Sequence, residues 1–249
     1  MTETEPINAL TLDVGHTLLF PAPSLDAVYR EIAQQHGVDL PGDDFGDRFA
    51  HAWEKTKQDW QGLVYGRTHA DALAFWHKVN RDVLPPHTFP NDLLEAFVGS
   101  LYEAFAHAPR WRMNPELPEL MEACRSAHVP VALLSNWDVR LRSLLQELDL
   151  VTPFDVVVIS AEVGLEKPFP EIFRETARRL GAAPARTLHV GDTWADDVEG
   201  ALNAGLRAAW YAPGQDHSPE PSSNIPVLQS LRDIIPLVSP SGSRPLANA

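Results

Sequence analysis

The chain has 249 residues, 44% of them apolar, and its 20 Lys and Arg against 34 Asp and Glu give a formal charge of −14. That length buries one sizeable core, or a core domain with a smaller insert. An acidic chain without clustered Lys and Arg excludes nucleic acid and anionic membranes as natural partners, but not a small anionic substrate bound by a few donors or a cation.

In chain order, the acidic start Met1–Pro6 lacks the basic and apolar regions of a signal peptide. No apolar run along the chain reaches membrane-spanning length, so a soluble, cytoplasmic protein is expected. Ile7–Val14 is the first apolar run and reads as a buried strand. Roughly ninety residues then pass before the next such run, and all of that stretch reads helical. Ser24 suits the N-cap of a helix carrying Leu25, Val28, Tyr29 and Ile32, with Gly37 as its stop. Phe45, Phe49, Trp53 and Trp60 mark a second helix, Leu73, Trp76 and Val79 a third, and Leu94, Phe97, Leu101 and Phe105 a fourth. A structureless connection of that length is rare, so residues 20–110 are expected to form a helical insert.

Beyond it, strand and helix patterns alternate. Pro130–Ser135, Phe154–Ile159, Thr187–Val190 and Arg207–Tyr211 are short apolar runs. Between them, Leu141, Leu144, Leu145 and Leu148 follow helical spacing, as do Phe173, Ala177 and Leu180 after Pro170 and before Gly181. The expected fold is α/β, a Rossmann-like parallel sheet covered on both faces, with an α-helical cap inserted. The core would comprise 1–19 and 111–237 and the cap 20–110, while the Pro/Ser/Gly-rich tail 238–249 would be disordered.

In an open parallel sheet, ligands bind outside the carboxyl ends of the strands. The residues there are Asp13, Ser135, Lys167 in the loop after the third run, then Asp192 and Asp197. A carboxylate so placed can attack phosphorus and form an acyl phosphate. Carboxylates without His or Cys prefer a hard cation such as Mg²⁺. Lys167 can hold the nucleophile and a phosphate as a point charge, and Ser135 can donate to a phosphoryl oxygen.

These residues sit in four ordered motifs. Leu12-Asp13-Val14-Gly15-His16-Thr17-Leu18, Leu134-Ser135-Asn136, Gly164-Leu165-Glu166-Lys167-Pro168 and Val190-Gly191-Asp192-Thr193 with Asp197 resemble those of the haloacid dehalogenase superfamily. Ser135–Leu141 is most similar to one branch of it. The resemblance implies that Asp13 is the nucleophile and a metal ligand, with the Gly15 backbone carbonyl and Asp192 completing the Mg²⁺ contacts and Asp197 supporting them. It places Ser135, Asn136, Thr17 and Lys167 around the phosphate, Thr17 ordering the turn after Asp13 through its hydroxyl. The implied cap closes over the strand ends, excludes water and sets specificity.

One position departs from the pattern. Superfamily phosphatases carry a second Asp two residues after the nucleophile to protonate the leaving alcohol and later activate water; here that residue is Gly15. Three readings stay open. His16 substitutes as acid and base. Alternatively the reaction needs no such acid, as in 2-haloacid dehalogenases, or in phosphonoacetaldehyde hydrolases that use a cap lysine, for which Lys55, Lys57 and Lys78 are available. Or the fold is a binding or regulatory module that keeps a metal and phosphate pocket. The leading expectation is Mg²⁺-dependent hydrolysis of a small-molecule phosphomonoester through an aspartyl-phosphate on Asp13.

The remaining candidates have plainer readings. Asp192 with Thr193 can cap the helix near Trp194, and Asp138 can cap its own. His51, His69, His77 and His107 show no metal-ligand spacing, and His189 faces the core or a helix. Cys124, the sole cysteine, shares a helical stripe with Leu117, Leu120 and Met121 and packs there, leaving no disulfide and no Cys-based zinc site. Trp53, Trp60 and Trp76 belong to the cap core. No pattern speaks to oligomeric state.

Overall fold

The computed structural model describes residues 6–40, 45–60, 64–84, 88–219 and 224–238, the side chains of 91 and 92 excepted. The tail expected to be disordered lies, but for residue 238, outside the described residues. No helix among them is long and apolar enough to cross a membrane.

The chain divides into two compact units. The first comprises Met1–Leu19, Met113–Asn136 and Leu150–Ala249. Its sheet holds β1 (Ala9–Leu12), β4 (Val131–Ser135), β5 (Val156–Ile159), β6 (Thr187–Gly191), β7 (Arg207–Tyr211) and β8 (Val227–Leu228), in the order β5-β4-β1-β6-β7-β8. Every pairing is parallel, with Leu10 opposite both Val131 and Leu188. β1, β4 and β6 are buried along their whole length, which explains near-continuous apolar runs in place of alternation. Successive strands run outward from β1 to one side and then, from β6, to the other. The carboxyl end of β1 is therefore the switch point where an α/β sheet opens a crevice.

Helices α5 (Leu117–Ser126), α7 (Ser160–Val163), α8 (Pro170–Arg179) and α9 (Gly200–Asn203) belong to this unit. Pro170 opens α8, and Gly181 follows it at φ 68, the left-handed conformation expected of a helix stop. Ile172, Phe173, Val198 and Ala201 join Leu134 and Val158 in a core beneath the sheet. Cys124 is buried on α5 with Leu117, Leu120 and Met121. Burial pushes its thiol up to about 12.

The second unit comprises Phe20–Arg112 and Trp137–Asp149. Its helices are α1 (Leu25–Gln35), α2 (Phe45–Asp59), α3 (His69–Val83), α4 (Asn91–Ala104) and α6 (Leu141–Glu147). Ser24 Oγ accepts the Ala27 N–H at 3.2 Å, capping α1. Tyr29, Phe45, Phe75, Val79 and Phe97 form its core, with Trp53, Trp60 and Trp76 half-buried against them. Leu73, expected on the inner stripe of α3, is instead exposed, because Ala72, Phe75, Val79 and Val83 define the buried face. The chain leaves and re-enters the first unit through two short strands, β2 (Leu19–Pro21) and β3 (Trp111–Met113), that pair with each other.

Residues 137–149 fall in the helical unit, whereas the sequence pattern assigns them to the core. Side chains explain the difference. Asp138 accepts from Trp76 Nε1 at 3.0 Å, Arg140 Nη1 donates to the Tyr102 carbonyl at 2.5 Å, and Glu147 accepts from the Ala108 N–H at 3.0 Å. The Trp111 and Trp137 rings stand 5.0 Å apart.

Candidate active site

The strand ends of the first unit deliver the polar residues one by one. Asp13 follows β1, and its N–H donates to the Val190 carbonyl at 2.9 Å, so its backbone is tied to the neighbouring strand. The chain then turns tightly: Leu18 and Leu19 N–H both reach the Val14 carbonyl, and His16 N–H reaches Leu19 O at 2.9 Å. His16 carries this turn at φ 54, a left-handed conformation uncommon outside glycine. Ser135 is the buried last residue of β4, paired with Ile159. After β5, α7 stops at Gly164 with φ 71, and the loop brings Lys167 back into the interior at 3% exposure.

Lys167 is the hub. Its Nζ donates to Asp13 Oδ1 at 2.6 Å and to Asp197 Oδ1 at 2.5 Å. Its backbone is held too: the Lys167 N–H donates to Asn136 Oδ1, and Asn136 Nδ2 donates to the Lys167 carbonyl, each at 2.8 Å. Asp197 lies on Trp194–Glu199, a turn wound as a π-helix, a form that recurs at functional sites. Its Oδ2 accepts the Thr193 N–H at 2.9 Å, and its Oδ1 also meets His189 Nε2 at 3.1 Å. A carboxylate only accepts, so Nε2 carries the proton, and Thr11 Oγ1 at 2.8 Å donates to Nδ1. Trp210 Nε1 donates to the Asp192 carbonyl at 2.7 Å.

Charge at this site is unbalanced. Carboxylate oxygens of Asp13, Asp192 and Asp197 all lie within 4.8 Å of one another. Only one ammonium, Lys167, bonds into them among the described residues. Burial, with Asp197 repelling it and Lys167 opposing, pushes the Asp13 carboxyl up to about 6. Burial together with Asp13 and Asp197 pushes Asp192 up to about 8. Asp197 goes the other way: burial works against it, but Lys167 and His189 hold it well below the usual carboxylate range. Lys167 is raised because both carboxylates outweigh its burial, and burial lowers the His189 imidazole.

This set fits a hard divalent cation. The donors are carboxylates with surplus negative charge, and protonation is the costly alternative. Asp13 and Asp192 have the raised carboxyls that a cation would relieve. Asp197, with both oxygens already bonded, is suited to holding Lys167 in place rather than to direct coordination.

Two sequence expectations need correction. The Thr17 hydroxyl does not order the turn, because its Oγ1 is buried without a hydrogen-bond partner; the Thr17 carbonyl takes Asn114 Nδ2 at 3.2 Å instead. Thr193 does not cap the turn at Trp194 through its side chain, whereas Asp138 Oδ1 accepts the Arg140 N–H at 3.0 Å just ahead of α6, its carboxylate being engaged also by the Arg140 side chain and Trp76. Surrounding protein pushes the His16 imidazole below its ordinary value, although the residue keeps solvent exposure. Among the cap lysines, Lys55 pairs with Asp82 at 2.8 Å and Lys78 with Asp59 at 2.7 Å.

Thr11 and His189 were not legible as site residues. The sole signal was a polar pair on adjacent parallel strands, opposite each other in register and two or three residues ahead of motif carboxylates.

Comparison with known proteins bears on the family and the fold. A family model described as haloacid dehalogenase-like hydrolase matches residues 7–205. Haloacid dehalogenase-like hydrolase domain-containing protein 3 of Mus musculus is 29% identical over 236 residues, covering 91% of this chain and 92% of its own. Phosphoserine phosphatase of Thermus thermophilus is 29% identical over 252 residues, covering 88% and 94%. Among solved structures, a magnesium-bound HAD-hydrolase YfnB from Bacillus subtilis superposes with a TM-score of 0.67 at 17% identity, over 92% of this chain and 97% of that one. At that identity the likeness speaks for the fold. With Asp13, Ser135 and Asp192 each at a strand end of that sheet, Lys167 in the loop beyond β5 and α7, and the match spanning most of the chain, this protein belongs to the haloacid dehalogenase-like hydrolase family and is a hydrolase.

Proposed function

We propose that the protein hydrolyses small phosphomonoesters with Mg²⁺, through an aspartyl-phosphate on Asp13. The observation that carries this reading is the Lys167 ammonium bonded at once to Asp13 and Asp197 beside Asp192, a cation fixing a nucleophilic carboxylate next to a metal-suited acid pair. Asp13 and Asp192 would hold the ion, with the Gly15 carbonyl and Asp197 in support; when bound, it offsets the charge of the phosphate and the carboxylates. The phosphatase names among the relatives support the same reaction.

The residues divide the work as follows. An Asp13 oxygen attacks phosphorus, the bond from phosphorus to the ester oxygen breaks with its electron pair staying on that oxygen, and the departing alkoxide or phenoxide takes its proton from solvent water. Water then attacks the same phosphorus, the bond to Asp13 breaks, and inorganic phosphate departs. Lys167, Ser135 and Asn136 donate to the phosphoryl oxygens as negative charge builds, and Thr17 completes the phosphate set. Gly15 offers no acid for the leaving group. His16, held largely neutral, is better suited to accepting the proton of the attacking water than to protonating an alcohol. Substrates with acidic leaving groups are therefore favoured. Carbon–phosphorus cleavage through a lysine imine requires a lowered lysine, whereas Asp82 raises Lys55.

The test is p-nitrophenyl phosphate turnover between about pH 5 and 9, with Mg²⁺ and with EDTA, beside Asp13→Asn. Cation-dependent turnover lost in Asp13→Asn is the expected result. Silence on so activated an ester would overturn the phosphatase reading. Halide release from 2-chloropropionate, loss of phosphonoacetaldehyde, or binding without turnover would then be measured.

A further inference from the structure

Thr11 and His189 stand opposite each other on β1 and β6, two strands buried along their whole length. With Asp197, Lys167 and Asp13 they belong to the first unit. Both polar side chains are buried, and a buried polar group costs free energy unless it is hydrogen-bonded. An apolar pair of the same shape would serve the sheet as well. What the polar pair adds is direction. His189 Nε2 donates to Asp197 Oδ1 at 3.1 Å, while Nδ1 accepts from Thr11 Oγ1 at 2.8 Å. The Phe173 ring on α8 meets the imidazole edge to face, the two centres 5.1 Å apart and the planes at 82°. With both nitrogens bonded and a ring packed against it, the imidazole keeps one orientation and one tautomer.

Asp197 receives that direction. Its Oδ1 accepts from His189 and from Lys167 Nζ, and its Oδ2 accepts the Thr193 N–H. Of these donors, Lys167 also reaches Asp13, at 2.6 Å. Without the His189 N–H, Lys167 alone would hold Oδ1, and the ammonium and carboxylate could shift as a pair. We infer that His189 is a positioning residue: its Nε2–H pins Asp197 Oδ1, and through it the Lys167 ammonium that Asp13 shares, with Thr11 holding the imidazole in place. The imidazole acts by one fixed hydrogen bond and exchanges no proton in the reaction. Lys167 is a reacting-site group on the proposed function, and the inference rests on that reading for its catalytic consequence alone. Contact in series is no proof of coupling, which a double-mutant cycle measures directly.

The experiment uses the full chain, isotopically labelled at lysine Nζ, and two readouts. One is proton exchange of the Lys167 ammonium by NMR, its signal identified by its loss in Lys167→Met; the other is turnover of p-nitrophenyl phosphate. His189→Met keeps an apolar body and removes both ring nitrogens, His189→Gln restores an N–H donor near the Nε2 position, and Thr11→Val removes the hydroxyl at constant shape. Ile172→Val, in the core that α8 builds, lowers stability and removes no hydrogen bond. Ammonium exchange is expected to accelerate at least about tenfold in His189→Met, by less in Thr11→Val, and to stay near wild type in His189→Gln and Ile172→Val. In His189→Met kcat should fall about tenfold with KM little altered, and His189→Gln should recover most of it. In the His189→Met background, Thr11→Val should change neither readout further. Fast exchange in the wild type, unchanged exchange in His189→Met, or equal losses in His189→Gln and His189→Met would overturn the inference. If His189→Met does not fold, Thr11→Val set against Ile172→Val decides. If the wild type turns over no ester, the proposed function fails, while ammonium exchange still settles the positioning role.

Discussion

Gly191 faces Asp197 at a distance that admits no side chain: a Cβ on Gly191 would fall 2.3 Å from the Asp197 carboxyl carbon and 2.4 and 2.7 Å from its oxygens. The last residue of β6 is glycine because the carboxylate that holds Lys167 occupies the space beside it. Gly191→Ala is expected to push Asp197 away and release one of the two Lys167 bonds. Urea unfolding should show a loss of about 1–3 kcal/mol, the range of overpacked cores. Turnover should fall by more than the stability change explains, and wild-type activity in a folded Gly191→Ala protein would refute the assignment.

Asp13 and Asp192 make stability depend on pH. Their carboxyls, about 6 and about 8 when folded, lie above the ordinary value of 3.8. Between those limits the folded protein retains protons that the unfolded chain has released, so stability falls as pH rises. For these groups it is greatest below about pH 4, and the loss is complete above about pH 8. Asp197, held low, adds stability that disappears only at strongly acid pH. Thermal unfolding in EDTA should therefore decline between about pH 5 and 8, and Mg²⁺ should flatten the decline by replacing the protons. Asp192→Asn should remove most of the slope; an unchanged slope would exclude Asp192 as its source.

Gly15 should govern which leaving groups are tolerated. It is not one of the glycines at positive φ, so its backbone accepts an L side chain. Gly15→Asp is expected to raise turnover of alkyl phosphates by about 10²-fold, the contribution typical of a positioned acid, and to change p-nitrophenyl phosphate turnover little. Equal effects on both ester classes would mean that leaving-group protonation does not limit the native enzyme.

Gly66 offers a stability test away from the reacting groups. It sits at φ 73, and an added Cβ would collide with the backbone and Cβ of Asp138. Gly66→Ala combines left-handed strain with overpacking and should cost about 2–4 kcal/mol by chemical denaturation. A smaller loss would show that Asp138 can yield.

The strand-end residues were legible because parallel pairing on a buried sheet forces Asp13, Ser135 and Asp192 to one edge once their apolar runs are recognised. Lys167 was legible through its motif. Contacts that depend on register were not. Thr11 and His189 meet only because β1 and β6 pair Thr11 opposite His189, a match between residues 178 positions apart. Likewise Trp76 and Asp138 are 62 positions apart, and nothing local reveals that residues after β4 join the helical unit. The two-residue strand β8 and the short pair β2 and β3 are too brief to leave a periodic signal.

The wide winding of Trp194–Glu199 has a genetic consequence. A π-turn holds one residue more than an α-turn, so deleting the exposed Ala195 would let this stretch relax into an ordinary helix. The shortened chain would gain regular backbone bonding while rotating its upstream end by about 100° relative to Asp197. Thr193, whose N–H Asp197 now accepts, would leave the carboxylate, and Asp192 would move with it. Single-codon deletions here should thus yield a protein harder to melt and unable to work, stability and activity moving in opposite directions.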